Sequence, residues 1–286
     1  MTNTTTIVAT HAEVGEGPVW HHESNSVYWI DIFPGKIYRT FLDGRTWDSF
    51  VVPEPVGAVA PRENGGLVAS VASGFMGFDA EGELTHHLKI LGQGIRMNDA
   101  KTDPRGVYWS GSCELDFEPG RGGLWRMDEN WQPSLVLEGL TLPNGLGWSP
   151  GGETFYLVDS QQRTVSCFSY DLETSQLDNT PTILIGPEMF SGLPDGLAVD
   201  TRGHLWIAEF AGTGLHEFAP DGTHQQTIAI PTAQPTSCAF VGEKLEQLWI
   251  TSAALGLDLT VDPDAGSIFQ VHGHGAVGVP VAKFRG

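Results

Sequence analysis

The chain has 286 residues, which is enough for one large all-β domain or for two smaller domains. Hydrophobic residues make up 40% of it and charged residues 17%, as in folded globular proteins. The formal net charge of −20 argues against nucleic acid or an anionic membrane as a partner, because both are bound through basic surfaces. The sequence contains no linker-like stretch, so we predict a single domain over residues 1–286.

The cysteines and the N-terminal residues bear on the cellular compartment. The three cysteines, Cys113, Cys167 and Cys238, each lie in or beside a predicted strand. An odd number without a disulfide framework favours a reducing compartment, and we interpret all three as small buried hydrophobic residues. Residues 1–8 lack the pattern of a signal peptide, and no apolar run reaches the roughly 20 residues of a membrane helix. We therefore predict a cytoplasmic protein.

A strand-forming segment recurs six times along the chain. The six segments cover residues 16–20, 56–60, 98–102, 144–148, 195–199 and 236–240, and their first residues are 40 to 51 positions apart. A period of this length, built from short strands, is typical of a β-propeller, in which equivalent strands surround one central axis.

Each unit continues with two further predicted strands and a weaker fourth one. Apolar and aromatic runs predict second strands at 27–32, 67–71, 107–111, 154–159, 204–209 and 247–252. Third strands are predicted at 36–40, 75–78, 123–127, 165–170, 214–218 and 267–271. We predict an all-β, six-bladed β-propeller of four-stranded blades, with the large aromatic residues packed between blades. Residues 6–10 and 279–284 are expected to share the last blade and close the ring.

The opening residues of the six segments are expected to meet at one mouth of the central channel. Four of them, Glu16, Asn98, Asn144 and Asp195, carry carboxylate or amide oxygens, whereas Val56 does not. Such oxygens, without thiolate or imidazole, suit a hard divalent cation. Taken singly, Asp or Asn before Gly is an ordinary turn residue. The recurrence of ligand-type residues at equivalent positions favours a metal site over this simpler interpretation.

The segments at 15–20, 96–106, 143–149, 194–208 and 235–240 resemble, in order, those of the regucalcin/gluconolactonase family, which includes luciferin-regenerating proteins and sugar lactonases. The resemblance spans nearly the whole chain. It implies a six-bladed propeller with one divalent cation in the channel, such as Ca²⁺, Mg²⁺, Mn²⁺, Zn²⁺ or Fe²⁺. It also implies an enzyme that opens a small-molecule sugar lactone to the aldonic acid.

Carried over by position, the resemblance makes Glu16, Asn144 and Asp195 the metal ligands. It makes Asp195 also the general base or proton shuttle, and it makes Arg96 and Asn98 substrate contacts. A further acidic substrate contact falls on Asp116 by counting along the chain. The loop at 113–121 is shorter than in the animal members of the family, so Glu114 or Glu118 are alternatives for that contact.

Two other functions remain open at the level of the sequence. One is a metal-binding propeller without catalytic activity, in which the cation stabilises the fold and one face binds a partner protein. The other is a metal-dependent esterase or phosphotriesterase that uses the same cation and Asp195. A Ser-based hydrolase has no support, because no Gly-x-Ser-x-Gly motif occurs.

Overall fold

The repeat folds into six antiparallel sheets arranged as blades around a central axis. The structure, a computed structural model, describes residues 2–178, 180–212 and 214–286. The first strand of each blade contacts the first strands of both neighbouring blades, so that six inner strands form a closed ring. The six-bladed β-propeller predicted from the sequence is therefore confirmed, and the described residues contain no α-helix.

The first three blades each consist of four strands that are consecutive in the chain. Blade 1 comprises β2 (Gly15–His21), β3 (Ser26–Asp31), β4 (Lys36–Phe41) and β5 (Thr46–Val51). Blade 2 comprises β6 (Val56–Pro61), β7 (Leu67–Val71), β8 (Gly74–Phe78) and β9 (Leu84–Lys89). Blade 3 comprises β10 (Ile95–Thr102), β11 (Tyr108–Glu114), β12 (Gly122–Met127) and β13 (Pro133–Leu140).

The other three blades show two variations on this plan. Blade 4 comprises β14 (Pro143–Trp148), β15 (Thr154–Asp159) and β16 (Thr164–Asp171), whose outer edge pairs with both β17 (Gln176–Leu177) and β18 (Thr182–Ile185). Blade 5 comprises β19 (Leu193–Val199), β20 (Leu205–Phe210), β21 (Gly214–Phe218) and β22 (His224–Ala229). Blade 6 comprises β23 (Pro235–Val241), β24 (Gln247–Ser252), β25 (Ile268–His272) and, from the other end of the chain, β1 (Asn3–Val8). A short 3₁₀ helix (Pro187–Met189) precedes β19.

The core lies between the blades and is built mainly by the second strands. Trp29, Trp109, Trp206 and Trp249 are fully buried, as the packing interpretation of the aromatic residues predicts. Trp109, for example, packs in one cluster with aromatic residues of the next blade. The inner strands are buried on both faces, whereas an outer strand such as β9 is largely exposed. Burial on both faces explains why the inner strands lack the regular alternation of polar and apolar residues found in a surface sheet.

Ring closure uses only one of the two terminal segments predicted for it. The N-terminal β1 pairs with β25 and completes blade 6, as expected. The C-terminal segment is not a strand of that blade, and this part of the prediction is wrong. It crosses the far end of the channel: the Val279 N–H donates to the Val199 carbonyl oxygen, and the Phe284 N–H donates to the Pro61 carbonyl oxygen. Pro280 lacks an N–H group, which makes the segment a poor strand for a ladder.

The C-terminal segment is held in place by Phe284, which is fully buried against Tyr108 and Trp131. We expect Phe284→Ala to lower the free energy of unfolding by about 3–5 kcal/mol, because it removes a buried ring and leaves a cavity. Urea unfolding followed by tryptophan fluorescence measures this change. Val281→Ala is the matched control, since Val281 lies in the same segment but is exposed. Equal effects of the two substitutions would contradict an anchoring role for Phe284.

None of the helices in the described part of the chain is long and apolar enough to span a membrane.

Candidate metal and substrate site in the channel

Every inner strand carries a β-bulge at its start, where the repeat places its opening residue. The register shifts lie between Glu16 and Val19 in β2 and at the equivalent points of β6, β10, β14, β19 and β23. A bulge interrupts the alternation of side chains between the two faces of the sheet and changes the direction of the side chain that it contains. The opening side chains can therefore turn toward the channel instead of lying between the blades.

Glycine follows the opening residue in four of the six blades, and at three of them, Gly57, Gly145 and Gly196, the inner strands approach each other closely. A Cβ atom on Gly57 would lie 2.5 Å from the Asn98 carbonyl oxygen, and one on Gly145 would lie 2.5 Å from that of Asp195. Such distances leave no room for a side chain. The tight ring of glycines brings the opening residues of neighbouring blades close to the axis.

The three side chains predicted as metal ligands are all buried at this ring. Glu16, Asn144 and Asp195 are 6%, 7% and 7% exposed, respectively. The Asn144 Nδ2 atom donates to the Ser160 hydroxyl (3.1 Å), which leaves the amide oxygen as its free ligand atom. The Asp195 Oδ1 atom is buried and has no hydrogen-bond donor. A buried carboxylate oxygen without a donor needs a partner, and a divalent cation supplies one. The residues present therefore fit such a cation.

The carboxyl groups around the channel raise one another's pKa values. Burial raises the pKa of Glu16 to about 8, and the charge of Asp99 adds to this rise. Burial also raises the pKa of Asp195 well above its usual value, with further contributions from Glu16 and Asp99. Burial raises the pKa of Asp99 as well. Without a cation, these groups hold protons that ordinary carboxylates lose, and a divalent cation would compensate their negative charge.

Arg96 and Asn98, the predicted substrate contacts, lie beside each other on β10. Both are buried, and the Arg96 Nη1 atom donates to the Asn98 Oδ1 atom (2.6 Å) and to the Met97 carbonyl oxygen (3.0 Å). The Asn98 Nδ2 atom donates to the Pro143 carbonyl oxygen in blade 4 (3.0 Å). The two side chains thus form one rigid unit that spans blades 3 and 4. The positive charge of Arg96 lowers the pKa of Asp195, so the two groups are close enough to interact.

Asp116, the third predicted substrate contact, is exposed in the loop after β11. Its backbone N–H donates to the Glu114 Oε2 atom (2.7 Å), which also accepts from the Glu118 N–H (3.3 Å). Glu114 pairs with Ile95 in the ladder, next to Arg96, whereas no contact joins Asp116 to Arg96. The loop begins at the end of the channel where β10 starts, because Glu114 pairs with Ile95.

Two charged residues in the channel were missed by the sequence analysis. Asp99 occupies the position that is glycine in four other blades, and this departure from the repeat was visible in the sequence. Lys101 lies two residues further along β10, and its Nζ atom donates to the Leu197 carbonyl oxygen in blade 5. Burial lowers the pKa of Lys101, against the opposing effects of Asp99, Cys238 and Glu16. Asp99 and Lys101 thus add one acidic and one basic side chain to the channel, on the inner side of the ring that contains Glu16, Asn144 and Asp195.

Below the ring, the channel widens into a cavity of about 330 Å³. Its walls are the later parts of the inner strands, and the C-terminal segment at 279–283 lines its far end. Asp99 and Lys101 line it as well, whereas Glu16, Asn144 and Asp195 do not. The candidate site therefore lies at one mouth of the channel, and the cavity lies on its inner side.

A second group of potential ligands, Asp200, His204 and Glu217 in blade 5, has its ligand atoms within 4.8 Å of one another. An Arg202 Nη2 atom contacts the Asp200 Oδ2 atom (2.5 Å) and the Glu217 Oε1 atom (2.7 Å). The Arg202 guanidinium therefore bridges the two carboxylates, and the His204 Nδ1 atom also contacts the Glu217 Oε1 atom (2.7 Å). We interpret this group as an ion-pair network and not as a metal site.

The three cysteines are free, as predicted. Cys113 and Cys238 are buried, and burial raises the pKa of both thiols, that of Cys238 to about 12. Neutral, buried thiols are poor nucleophiles. The interpretation as small buried hydrophobic residues fits Cys113 and Cys238, whereas Cys167 is only half-buried and the expectation of burial is wrong for it.

Fold and site together define the class: a six-bladed propeller with a ring of buried carboxylate and amide side chains at one mouth of its channel. The family model described as SMP-30/Gluconolactonase/LRE-like region matches residues 14–254. The chain belongs to this family.

Three relatives illustrate the similarity. A pentonolactonase of Haloferax volcanii is 34% identical over 87% of this chain and 84% of its own length. A regucalcin of Danio rerio is 33% identical over 96% of this chain and 95% of its own length. The solved structure of a calcium-binding protein, regucalcin, from Agrobacterium tumefaciens superposes with a TM-score of 0.92 at 26% identity, covering 98% of this chain and 96% of that one.

The raised pKa of Glu16 predicts how the metal-free protein responds to pH. An acid whose pKa rises from 4.5 to about 8 on folding contributes stability that is fully present below 4.5 and lost as pH rises through 8. Glu16→Gln removes this titration. We therefore expect the variant to gain stability relative to the wild type between pH 5 and pH 9, by on the order of 3 kcal/mol. Urea unfolding with a chelator present measures the difference.

Glu81→Gln is the control for this experiment, because Glu81 is exposed on a blade turn. It should leave the pH profile of stability unchanged. Identical profiles for the wild type and Glu16→Gln would contradict the raised pKa of Glu16.

Proposed function

We propose that this protein is a lactonase that hydrolyses a sugar lactone to the aldonic acid with the help of one divalent cation. The observation that carries the proposal is the burial of Glu16, Asn144 and Asp195 at one channel mouth, with the Asp195 Oδ1 atom lacking any donor. Membership of the family supports it, as do the names of two relatives, a pentonolactonase and a calcium-binding regucalcin.

In this proposal Glu16, Asn144 and Asp195 hold the cation through two carboxylates and one amide oxygen. Ca²⁺, Mg²⁺ and Mn²⁺ match this set of hard oxygen ligands, and the carboxylates balance the 2+ charge. When bound, the cation would polarise the lactone carbonyl and stabilise the negative charge that develops on its oxygen.

Arg96 and Asn98 are proposed to bind the hydroxyl groups of the sugar ring. Arg96 uses only its Nη1 atom in the hydrogen bonds within the protein, so its remaining donors are free to reach a substrate. Their mutual hydrogen bond fixes the guanidinium before the substrate arrives, which reduces the entropic cost of binding. We propose Asp116 as a further contact, with Glu114 as the alternative that the ladder brings nearer to Arg96.

Asp195 is proposed to move the proton that hydrolysis requires. As the oxygen of the attacking water bonds to the carbonyl carbon, Asp195 accepts a proton from that water. It then returns the proton to the ring oxygen as the bond between this oxygen and the carbonyl carbon breaks. Arg96 lowers the pKa of Asp195 and so favours the ionised form that accepts the proton.

We further propose that residues 1–286 act as one domain in the cytoplasm. The closed ring of six blades supports the single domain. The three free cysteines, two of them buried, support a reducing compartment.

Asp195→Asn should abolish lactone hydrolysis and leave the fold intact. The amide cannot accept the proton from water, and we expect the rate to fall by roughly 10²–10⁴-fold. The release of acid from a panel of five- and six-membered aldonolactones measures the rate, and circular dichroism checks the fold. Asp128→Asn is the matched control, because Asp128 is a carboxylate on a turn between outer strands and should be dispensable. Undiminished hydrolysis by Asp195→Asn would contradict its role.

Removal of divalent ions should abolish the activity, and re-addition of a single ion should restore it. The panel is run on chelator-treated protein with Ca²⁺, Mg²⁺, Mn²⁺ or Zn²⁺ supplied in turn, because the liganding oxygens accept several of these ions. A phosphotriester is included as the competing substrate class. Full turnover of lactones by the metal-free protein would contradict the metal requirement. Faster turnover of the phosphotriester than of every lactone would favour a phosphotriesterase instead.

A further inference from the structure

The blades that carry the three proposed metal ligands share a second feature. In each of them, the residue that precedes the ligand pairs in the ladder with an acid at the end of the second strand. The pairs are Gly15 with Asp31, Pro143 with Asp159, and Pro194 with Glu209. In blades 3 and 6 the equivalent residues are serines, Ser112 and Ser252, and in blade 2 the equivalent position is Ala72. The acids thus occur only where ligands follow.

Each acid accepts hydrogen bonds from the chain segment that leads to its ligand. The Asp31 carboxylate accepts from the backbone N–H groups of Glu13 (3.0 Å) and Val14 (2.9 Å). The Asp159 carboxylate accepts from those of Thr141 (2.8 Å) and Leu142 (3.1 Å). In both blades the two donors lie three and two residues before the ligand, so the same local structure occurs twice.

Glu209 acts in the same way in blade 5, with a longer side chain. Its Oε1 atom accepts from the Gly192 N–H (2.6 Å) and the Ser191 hydroxyl (3.1 Å), just before Asp195. Its Oε2 atom contacts the Nε2 atom of His216 (2.8 Å), so both carboxylate oxygens have partners. All three acids are buried. Buried charge-assisted hydrogen bonds of this kind are stronger than neutral ones and fix the geometry of the donors.

The fold itself does not require these acids. In blade 3 a backbone bond from the Leu115 N–H to the Gly94 oxygen closes the same junction. In blade 6 a backbone bond from the Ala253 N–H to the Gln234 oxygen does so, and Asp262 of the loop after β24 accepts from the Ala233 N–H (2.8 Å) and the Thr232 hydroxyl (2.9 Å). Blades 1 and 4 have such backbone bonds in addition to the acids. In blade 2 the acid lies on the other side of the junction. Glu54, in the segment that leads to Val56, accepts from the backbone N–H and the hydroxyl group of Ser73, which follows the second strand. A purely structural role would not explain why only blades 1, 4 and 5 place the acid at the end of the second strand, paired with the residue before the proposed ligand.

We propose that Asp31, Asp159 and Glu209 are positioning residues that hold the three ligand-bearing segments in the geometry that a cation requires. This inference rests on the proposed metal site. Two hydrogen bonds to consecutive groups fix both the position and the direction of the backbone immediately before the ligand. The ligand oxygens can then converge before the cation arrives, although their like charges oppose this convergence.

Asp159→Ser and Asp31→Ser test the proposal, because serine is the residue that blades 3 and 6 use at this position. A single hydroxyl cannot replace a carboxylate that accepts from two backbone groups. We expect each variant to bind Mn²⁺ about 10- to 100-fold more weakly than the wild type, the range found when residues that support metal ligands are replaced. Isothermal titration calorimetry of chelator-treated protein with Mn²⁺ measures the affinity without any reference to activity.

Asp103→Ser is the matched control. Asp103 is buried and also accepts two backbone N–H groups, from Arg105 (2.8 Å) and Val107 (2.9 Å), but it follows the far end of β10. The Asp103→Ser variant should lose at least as much thermal stability as Asp159→Ser and keep the Mn²⁺ affinity of the wild type. If a serine variant does not fold, Asp159→Asn replaces it, since it keeps the volume and one acceptor oxygen but loses the other.

The outcomes separate this inference from the proposed function. Weaker Mn²⁺ binding by Asp31→Ser and Asp159→Ser, with unchanged binding by Asp103→Ser, supports the positioning role. Loss of stability with Mn²⁺ affinity within twofold of the wild type overturns that role and leaves the metal site standing. Absence of Mn²⁺ binding to the wild-type protein overturns the metal site, and the positioning role with it.

Discussion

The crowding of like charges at one mouth of the channel is the constraint on which the rest of this site depends. Glu16, Asp99 and Asp195 lie buried close to one axis, and each of the first two raises the pKa of the third. The cations that oppose them are Arg96 and Lys101, both on β10. Carboxylates do not gather in this way without a compensating charge or protons. A divalent cation resolves the conflict more completely than protonation, because it also satisfies the orphaned Asp195 oxygen.

The backbone features around the ring follow from the same constraint. Side chains that repel one another must be held in place by groups that cannot move away. The bulges aim the opening residues, the glycines allow neighbouring strands to approach, and the buried acids at 31, 159 and 209 fix the segments just before the ligands. The network at Asp200 shows the alternative solution, in which Arg202 supplies the compensating charge within the protein. In the channel ring, the Arg96 guanidinium donates to the Asn98 amide oxygen and the Met97 carbonyl oxygen, and it opposes the carboxylates only through its charge.

The sequence predicted the architecture well because the repeat is periodic and local. Spacing, aromatic second strands and glycine turns identified all six blades, and burial of the large tryptophans followed from the same pattern. Gly44 and Gly222, each preceded by Asp in the turn after a third strand, have the positive φ values that such turns need. The C-terminal segment was misassigned because its partners, the Val199 and Pro61 carbonyl groups, belong to blades 5 and 2, and no local pattern encodes such distant contacts.

The site was only partly predictable, for a related reason. The opening residues could be compared across repeats, which identified Glu16, Asn98, Asn144 and Asp195 as a group, and the family resemblance then assigned three of them as metal ligands. Asp99 could have been found by the same comparison, because it replaces a glycine of the repeat. Asp31 and Asp159 could not be recognised as acceptors, because an acid at the end of a strand is a common turn residue. Their hydrogen bonds to the preceding segment depend on the ladder register, which the sequence does not state.

The six opening positions divide the channel mouth into two sides with different tasks. Blades 1, 4 and 5 present the ligand-type oxygens. Thr236 of blade 6 is not available to a ligand, because its fully buried hydroxyl donates to the Gly15 carbonyl oxygen and so holds the residue just before Glu16. Val56 of blade 2 is apolar, and blade 3 presents Arg96 and Asn98. Val56 is fully buried in the core with Ile30 and Ile32, so of these two blades only blade 3 presents polar side chains to the mouth. The mouth therefore combines the Arg96 donors on blade 3 with the carboxylate and amide oxygens on blades 1, 4 and 5, and the two sets of groups differ in charge as well as in position.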